Sequence, residues 1–142
     1  MAAERFLCRL QEGPLEGDWA RRQVEGPDAG CTVEFRGTVR NQARGRSVEH
    51  LEYEAYARMV PVELGRIAEQ IFADFEVLRI AVEHATGKVE VGRCSVVVAV
   101  ASAHRQAAFD ASAAFMDALK VRVPLWKKEV YPDGSSWIGR GS

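Results

Sequence analysis

The chain has 142 residues, with 19 Lys and Arg against 20 Asp and Glu, for a formal net charge of -1. That length suits one hydrophobic core rather than two. The near-neutral total argues against a DNA-coating protein, a polybasic membrane binder or an acidic disordered tail.

The elements follow in chain order. Phe6, Cys8 and Leu10 alternate with charged residues and predict a first half-buried strand. The span 12–30 is rich in Gly, Pro and acids, with a short helix expected around Trp19. Cys31, Val33 and Phe35 alternate with Thr32, Glu34 and Arg36, a strand that ends in Arg40-Asn41-Gln42 before a turn at Ala43-Arg44-Gly45-Arg46. Val48 to Tyr56 alternates again. Pro61 suits a first helical turn, and Val62, Ile67, Ile71, Phe72 and Phe75 recur at helical spacing, predicting a helix over about 59–76. Val77 to Ala85 and Cys94 to Ala101 read as strands around turns at Gly87 and Gly92.

A second long helix is expected over 104–121, N-capped by Ser102 and turning Phe109, Ala113, Met116 and Leu119 inward. Short strands around Val130 and Trp137, joined by Pro132-Asp133-Gly134, close the chain. Strands and helices mix without strict βαβ alternation, so the expected class is α+β, one domain over 1–142.

The opening Met1-Ala-Ala-Glu-Arg-Phe-Leu has no apolar run of signal-peptide length. The most apolar run, Cys94 to Ala103, falls far short of the ~20 residues of a membrane helix. Cys8, Cys31 and Cys94 are odd in number and widely spaced, a pattern that supports neither a disulfide framework nor a zinc site. A cytoplasmic protein with reduced thiols and no bound metal is expected. His50 and His84 have no second ligand at metal spacing.

The total charge hides a distribution. Glu52 to Glu76 holds six acids against two bases, whereas Lys120 to Lys128 holds Lys120, Arg122, Lys127 and Lys128 with no acid. Gly37 to His50 adds Arg40, Arg44 and Arg46 against Glu49. His104 and Arg105 stand at the start of the second long helix, where the macrodipole favours acids. Either solvent screens them, or an anion such as a phosphate is held jointly by Arg105 and the free backbone amides. Lys127 beside Trp126 is a candidate acid, base or nucleophile, because an aromatic wall and neighbouring cations lower a lysine pKa. Phe35, Tyr53, Phe72, Phe75, Phe109 and Met116 read first as packing residues.

Three motifs in order now carry a resemblance. Phe35-Arg-Gly-Thr-Val-Arg-Asn41 with Leu51-Glu-Tyr-Glu-Ala-Tyr56, Ser102-Ala-His-Arg-Gln-Ala-Ala-Phe109 with Met116-Asp-Ala-Leu-Lys120, and Val123-Pro-Leu-Trp-Lys-Lys-Glu129 together resemble the catalytic large subunit of molybdopterin synthase. The resemblance implies an α/β-hammerhead-like fold with a mixed or antiparallel sheet. It also implies conversion of cyclic pyranopterin monophosphate (precursor Z) to molybdopterin by addition of two sulfurs. These arrive as the C-terminal thiocarboxylate of a small ubiquitin-like subunit with a Gly-Gly tail, and two large subunits pair as a homodimer inside a heterotetramer.

Carried over by position, the resemblance makes Lys120 and Lys127 catalytic and places Arg40, His104 and Arg105 around the substrate. Phe35 and Met116 line the tail channel or pocket, Arg122 adds positive field, and Arg140 matches a substrate-contacting Arg. No cofactor is implied, and no cysteine is needed, since sulfur enters on the partner. Two other classes compete with the enzyme reading. One is a non-catalytic adaptor for a ubiquitin-like tail, which has no use for that cation set. The other is an RNA-binding module, which lacks any RNP or KH signature.

Overall fold

The computed structural model describes residues 4–142. The first three residues of the expected 1–142 domain lie outside it, and with them the start of the opening expected to hold no signal peptide. Nine strands and three helices follow in order: β1 (Phe6–Glu12), α1 (Trp19–Val24), β2 (Cys31–Thr38), β3 (Gln42–Ala43), β4 (Arg46–Ser47), β5 (His50–Ala55), α2 (Val60–Asp74), β6 (Arg79–Glu90), β7 (Cys94–Ser102), α3 (Arg105–Arg122), β8 (Leu125–Val130) and β9 (Ser136–Arg140). A seven-stranded sheet runs β2-β7-β6-β5-β8-β9, with β1 added to β6. Every pairing in it is antiparallel except β1–β6, which sets Phe6 opposite Ile80. The class is α+β.

All nine residues of β7 are buried, because both faces of the sheet are covered. On one face α2 and α3 pack Leu64, Ile67, Ala108, Phe115 and Leu119 against Ile80, Val82, Val98 and Val100. On the other, Ala20 and Val24 of α1 meet Ala81, Ala99 and Ala101, and Leu51 and Tyr53 extend that core toward β8.

Three local expectations are corrected. Gly87 is not a turn: it lies inside the twelve-residue β6 at φ 74, a conformation that glycine adopts without a Cβ penalty. There β6 leaves its partners β1 and β7 and takes up β5, beginning with Tyr53 opposite Gly87. The inward face of α3 is also shifted. Ala108, Ala111, Ser112, Phe115 and Leu119 face the sheet, whereas Ala113 is exposed and Phe109 is 57% exposed. Met116 and Leu119 are buried as expected. Small residues at 108, 111 and 112 let the helix lie close on β2 and β7, and the bulk of Phe109 is turned out.

Ser102 does not cap α3. It is the last residue of β7, and its hydroxyl donates to the His104 carbonyl. His104 occupies the cap position without a side-chain hydrogen bond.

Phe115 is fully buried between the sheet and its helix, stacked 6.3 Å from the Phe6 ring. Replacing Phe115 with Ala is expected to lower unfolding free energy by about 3–5 kcal/mol in urea titration. A loss below about 1 kcal/mol would contradict this core assignment.

Candidate active site

Two cavities gather the candidate residues. The first, of ≈ 350 Å³, is lined by Phe35, Arg40, Met116, Lys120 and Lys127, with Tyr53, Ser95 and Glu129 deeper in its wall. Its geometry follows from chain stops and pinned strand ends. Pro124 cannot continue a helix, so the backbone becomes extended at Val123 and enters β8 at Leu125. This reversal brings Lys120, on the last turn of α3, beside Lys127, on β8. Arg40 follows Val39, which is buried and held by both backbone groups, to Arg93 at 3.0 Å and Gly92 at 2.8 Å.

The electrostatics of this cavity are one-sided. Among the described residues, Arg40, Lys120 and Lys127 form no ion pair within 4.0 Å. The one acidic side chain in the wall, Glu129, is buried and accepts a hydrogen bond from the Tyr131 hydroxyl at 3.0 Å. Burial pushes the Lys127 ammonium below its ordinary pKa. Glu129 opposes that shift, while Lys120, Arg44 and Arg40 add to it. Burial raises the thiols of Cys8 and Cys94, so neither is a ready nucleophile.

The second cavity, ≈ 380 Å³, is lined by Gly30, Cys31, Ala103, His104, Arg105 and Gln106 at the opposite end of α3. Gly30 makes it possible, since a Cβ there would stand 2.1 Å from the Ala103 carbonyl oxygen. The first turn of α3 carries no acid, and its amides have no side-chain cap. At the 1.5 Å helical rise, Arg105 and Lys120 are about 22 Å apart along the axis. One chain therefore brings Arg40, Lys120, Lys127, Phe35 and Met116 together and holds His104 and Arg105 away from them.

Two further candidates line neither cavity. Arg122 turns to α2, donating to Gln70 at 3.3 Å and standing 3.9 Å from Glu63, because its position on α3 faces that helix. Arg140 ends the edge strand β9 opposite Trp126 and is exposed.

Sequence reasoning missed Glu129 and His84. Glu129 signalled itself only as an acid two residues beyond Lys127, on the same strand face. His84 had no signal beyond a strand position. It is fully buried beneath Tyr53, with ring centroids 5.1 Å apart, and Nε2 lies 2.8 Å from the Ser142 hydroxyl, itself on the first cavity.

The description "MoaE protein" matches residues 10–122. This chain belongs to the MoaE family. It is 40% identical to molybdopterin synthase catalytic subunit 1 of Mycobacterium tuberculosis over 132 residues, which cover 93% of this chain and 90% of that protein. It is 42% identical to the molybdopterin synthase catalytic subunit of Homo sapiens over 125 residues, covering 88% of this chain and 66% of the human one. The crystal structure of molybdopterin synthase from Staphylococcus aureus superposes with a TM-score of 0.83 at 28% identity, covering 98% of each chain. No helix among the described residues is long and apolar enough to cross a membrane.

His84 gives this MoaE fold a pH dependence. Burial depresses its pKa from 6.5 to about 4. The unfolded chain binds that proton more readily, so stability is fully present above pH 6.5 and is lost as pH falls toward 4. The shift corresponds to about 3 kcal/mol. Urea titrations between pH 7 and 4 are expected to show a shallower loss for His84→Gln than for the unaltered chain, and equal slopes would refute the assignment.

Proposed function

We propose that this chain is the sulfur-transferring subunit of a cytoplasmic molybdopterin synthase. In this reading it converts cyclic pyranopterin monophosphate to molybdopterin, taking two sulfurs, one from the C-terminal thiocarboxylate of each of two successive small ubiquitin-like subunits. The observation that carries the reading is the first cavity, where Arg40, Lys120 and Lys127 converge without a carboxylate partner. Unpaired cations around a concave, half-apolar wall suit anionic reactants, and both the substrate phosphate and a thiocarboxylate are anions.

The chemistry needs three things that these residues supply. Once the sulfur is bonded to the substrate, freeing it from the carrier's acyl group requires attack of water at the carbonyl carbon, which breaks the C–S bond and leaves the carrier as a carboxylate. An oxyanion develops there, and the ammonium groups of Lys120 and Lys127 stabilise that charge. A proton must move during the transfer, and the half-buried Lys127 has a pKa lowered toward the working range. Phe35 and Met116 give the apolar wall along which a Gly-Gly tail enters. Arg122 and Arg140 serve this reading at most through the local positive field.

His104 and Arg105 fit the same site through a second copy. One small phosphate ester cannot span about 22 Å, so these residues reach the substrate from the other protomer of the homodimer, with one small subunit bound per large subunit. Uncapped α3 amides and the Arg105 guanidinium then bind phosphate together.

The decisive assay mixes the purified chain with a thiocarboxylated small subunit and cyclic pyranopterin monophosphate, and detects dithiolene product by mass spectrometry. Lys120→Ala is expected to cut turnover by roughly 100-fold or more while the complex still assembles. Retained activity would remove Lys120 from the mechanism.

A mixture of chains tests the shared site. Lys120→Ala and Arg105→Ala chains, each inactive alone, are expected to recover about a quarter of full activity when refolded together, since half the dimers then hold one intact site. Recovery at background level would place both residues in separate sites of one chain.

A further inference from the structure

The hairpin β3–β4 is the most unusual local structure in the chain. Its two-residue loop, Arg44-Gly45, has φ 54 and 73, both left-handed, as a type I′ turn requires. Asn-Gly or Asp-Gly is the favoured pair for such a turn, and Arg44 is the one described residue other than glycine with positive φ. A long, branched cation in a conformation unfavourable to it directs attention to what the side chain does.

The guanidinium lies 3.3 Å from the Trp137 ring centroid, and Nε stands 3.6 Å from Glu129 Oε1. Trp137 is held for this contact by the backbone beneath it: a Cβ at Gly139 would come within 2.1 Å of the indole, so only glycine lets the ring lie there. A second arginine–aromatic stack fixes the other arm of the hairpin. Arg46 lies 3.8 Å over the Tyr131 ring and reaches Asp133 at 3.2 Å. Tyr131 in turn donates to Glu129. Glu129 is thus gripped by Tyr131 and Arg44.

On β8, Glu129 is two residues from Lys127, and both line the first cavity. Neighbours at that spacing on one strand face would be expected to pair, yet they stand more than 4.0 Å apart. We propose that Arg44 is a positioning residue for Lys127: stacked on Trp137, it holds the Glu129 carboxylate and keeps it from pairing with the lysine. The site gains a cation without a counterion, which is the property an anionic reactant needs.

The other charges facing Lys127 do not replace this one. Lys120 of α3 and Arg40 after β2 act from the cavity side, and Glu52, Glu54 and Lys128 line, with Lys127, a further, smaller cavity on its outer side. Gly139, opposite Lys127 on β9, brings no charge. The direction of the Lys127 shift agrees, with Glu129 raising its pKa and Arg44 lowering it.

The importance of this device rests on Lys127 belonging to the transfer site, so the experiment reads Lys127 directly rather than turnover. Trace acetylation of the intact protein across a pH series, followed by peptide mass spectrometry, measures how much of each lysine is a free amine, with exposed Lys88 as the internal reference. At a fixed pH on the rising part of the curve, Arg44→Gln is expected to lower Lys127 labelling by about two- to fivefold, the range for loss of one partly exposed cation. Arg44→Lys, which keeps the charge and loses the planar stack, should fall between. Adding Glu129→Gln to Arg44→Gln should restore labelling. Unchanged labelling in Arg44→Gln, or no recovery in the double variant, would overturn the proposal. Failure of the sulfur-transfer reading would appear separately, as no dithiolene product from the unaltered chain, and full turnover in Lys127→Ala would remove only Lys127 from it.

Discussion

The seating of α3 on the sheet is the contact on which the rest of this protein depends. Ala108, Ala111 and Ser112 give the helix a smooth face, Phe115 and Leu119 anchor it, and β7 beneath is buried along its whole length. Burying Phe115 and Leu119 alone contributes several kcal/mol. The same helix carries candidate site residues at both ends, His104 and Arg105 at its start and Lys120 in its last turn. Because an 18-residue helix is stiff, its packing sets the separation of the residues at its two ends before any ligand arrives.

Polar groups were then arranged around a cavity that the fold leaves at the sheet edge. The reversal at Val123-Pro124 turns Lys120 and Lys127 toward each other, at an electrostatic cost that ordinary surface residues would relieve with carboxylates. Here the nearest acid is occupied elsewhere. The net charge of -1 conceals this, since the compensating acids of α2 pair locally, as Glu63 does with Arg66 and Arg122. Balance over the molecule and imbalance at the site are compatible because screening makes charge a local quantity.

Much of this was legible in the sequence. Alternation at Cys31, Val33 and Phe35 marks the edge strand β2, the continuous apolar run from Cys94 marks the buried β7, and Pro124 marks the end of α3. Segment-by-segment charge counting pointed to the stretches that hold Arg40, Lys120 and Lys127. What stayed hidden depends on contacts between distant segments. The phase of α3 was misread because hydrophobicity favours Phe109 over Ala108, while close helix–sheet packing favours the smaller residue. Gly87 looked like a turn because periodicity carries no sign of a strand changing partners. Arg44 and Glu129 are far apart in the chain, and nothing local announces that one holds the other.

The single parallel pairing, β1 on β6, has a consequence for how the chain assembles. A β1 strand that leaves the ribosome first has no partner until Ile80 and its neighbours have followed, since Phe6 must wait for a strand beyond α1, β5 and α2. Closing so long a loop is entropically slow, so the antiparallel β6–β7 hairpin, local in sequence, is the natural early structure on which α3 can settle. The first strand made is then among the last to be locked in place. Until then one edge of β6 is open, and crowded nascent chains are most exposed to pairing with one another at that edge.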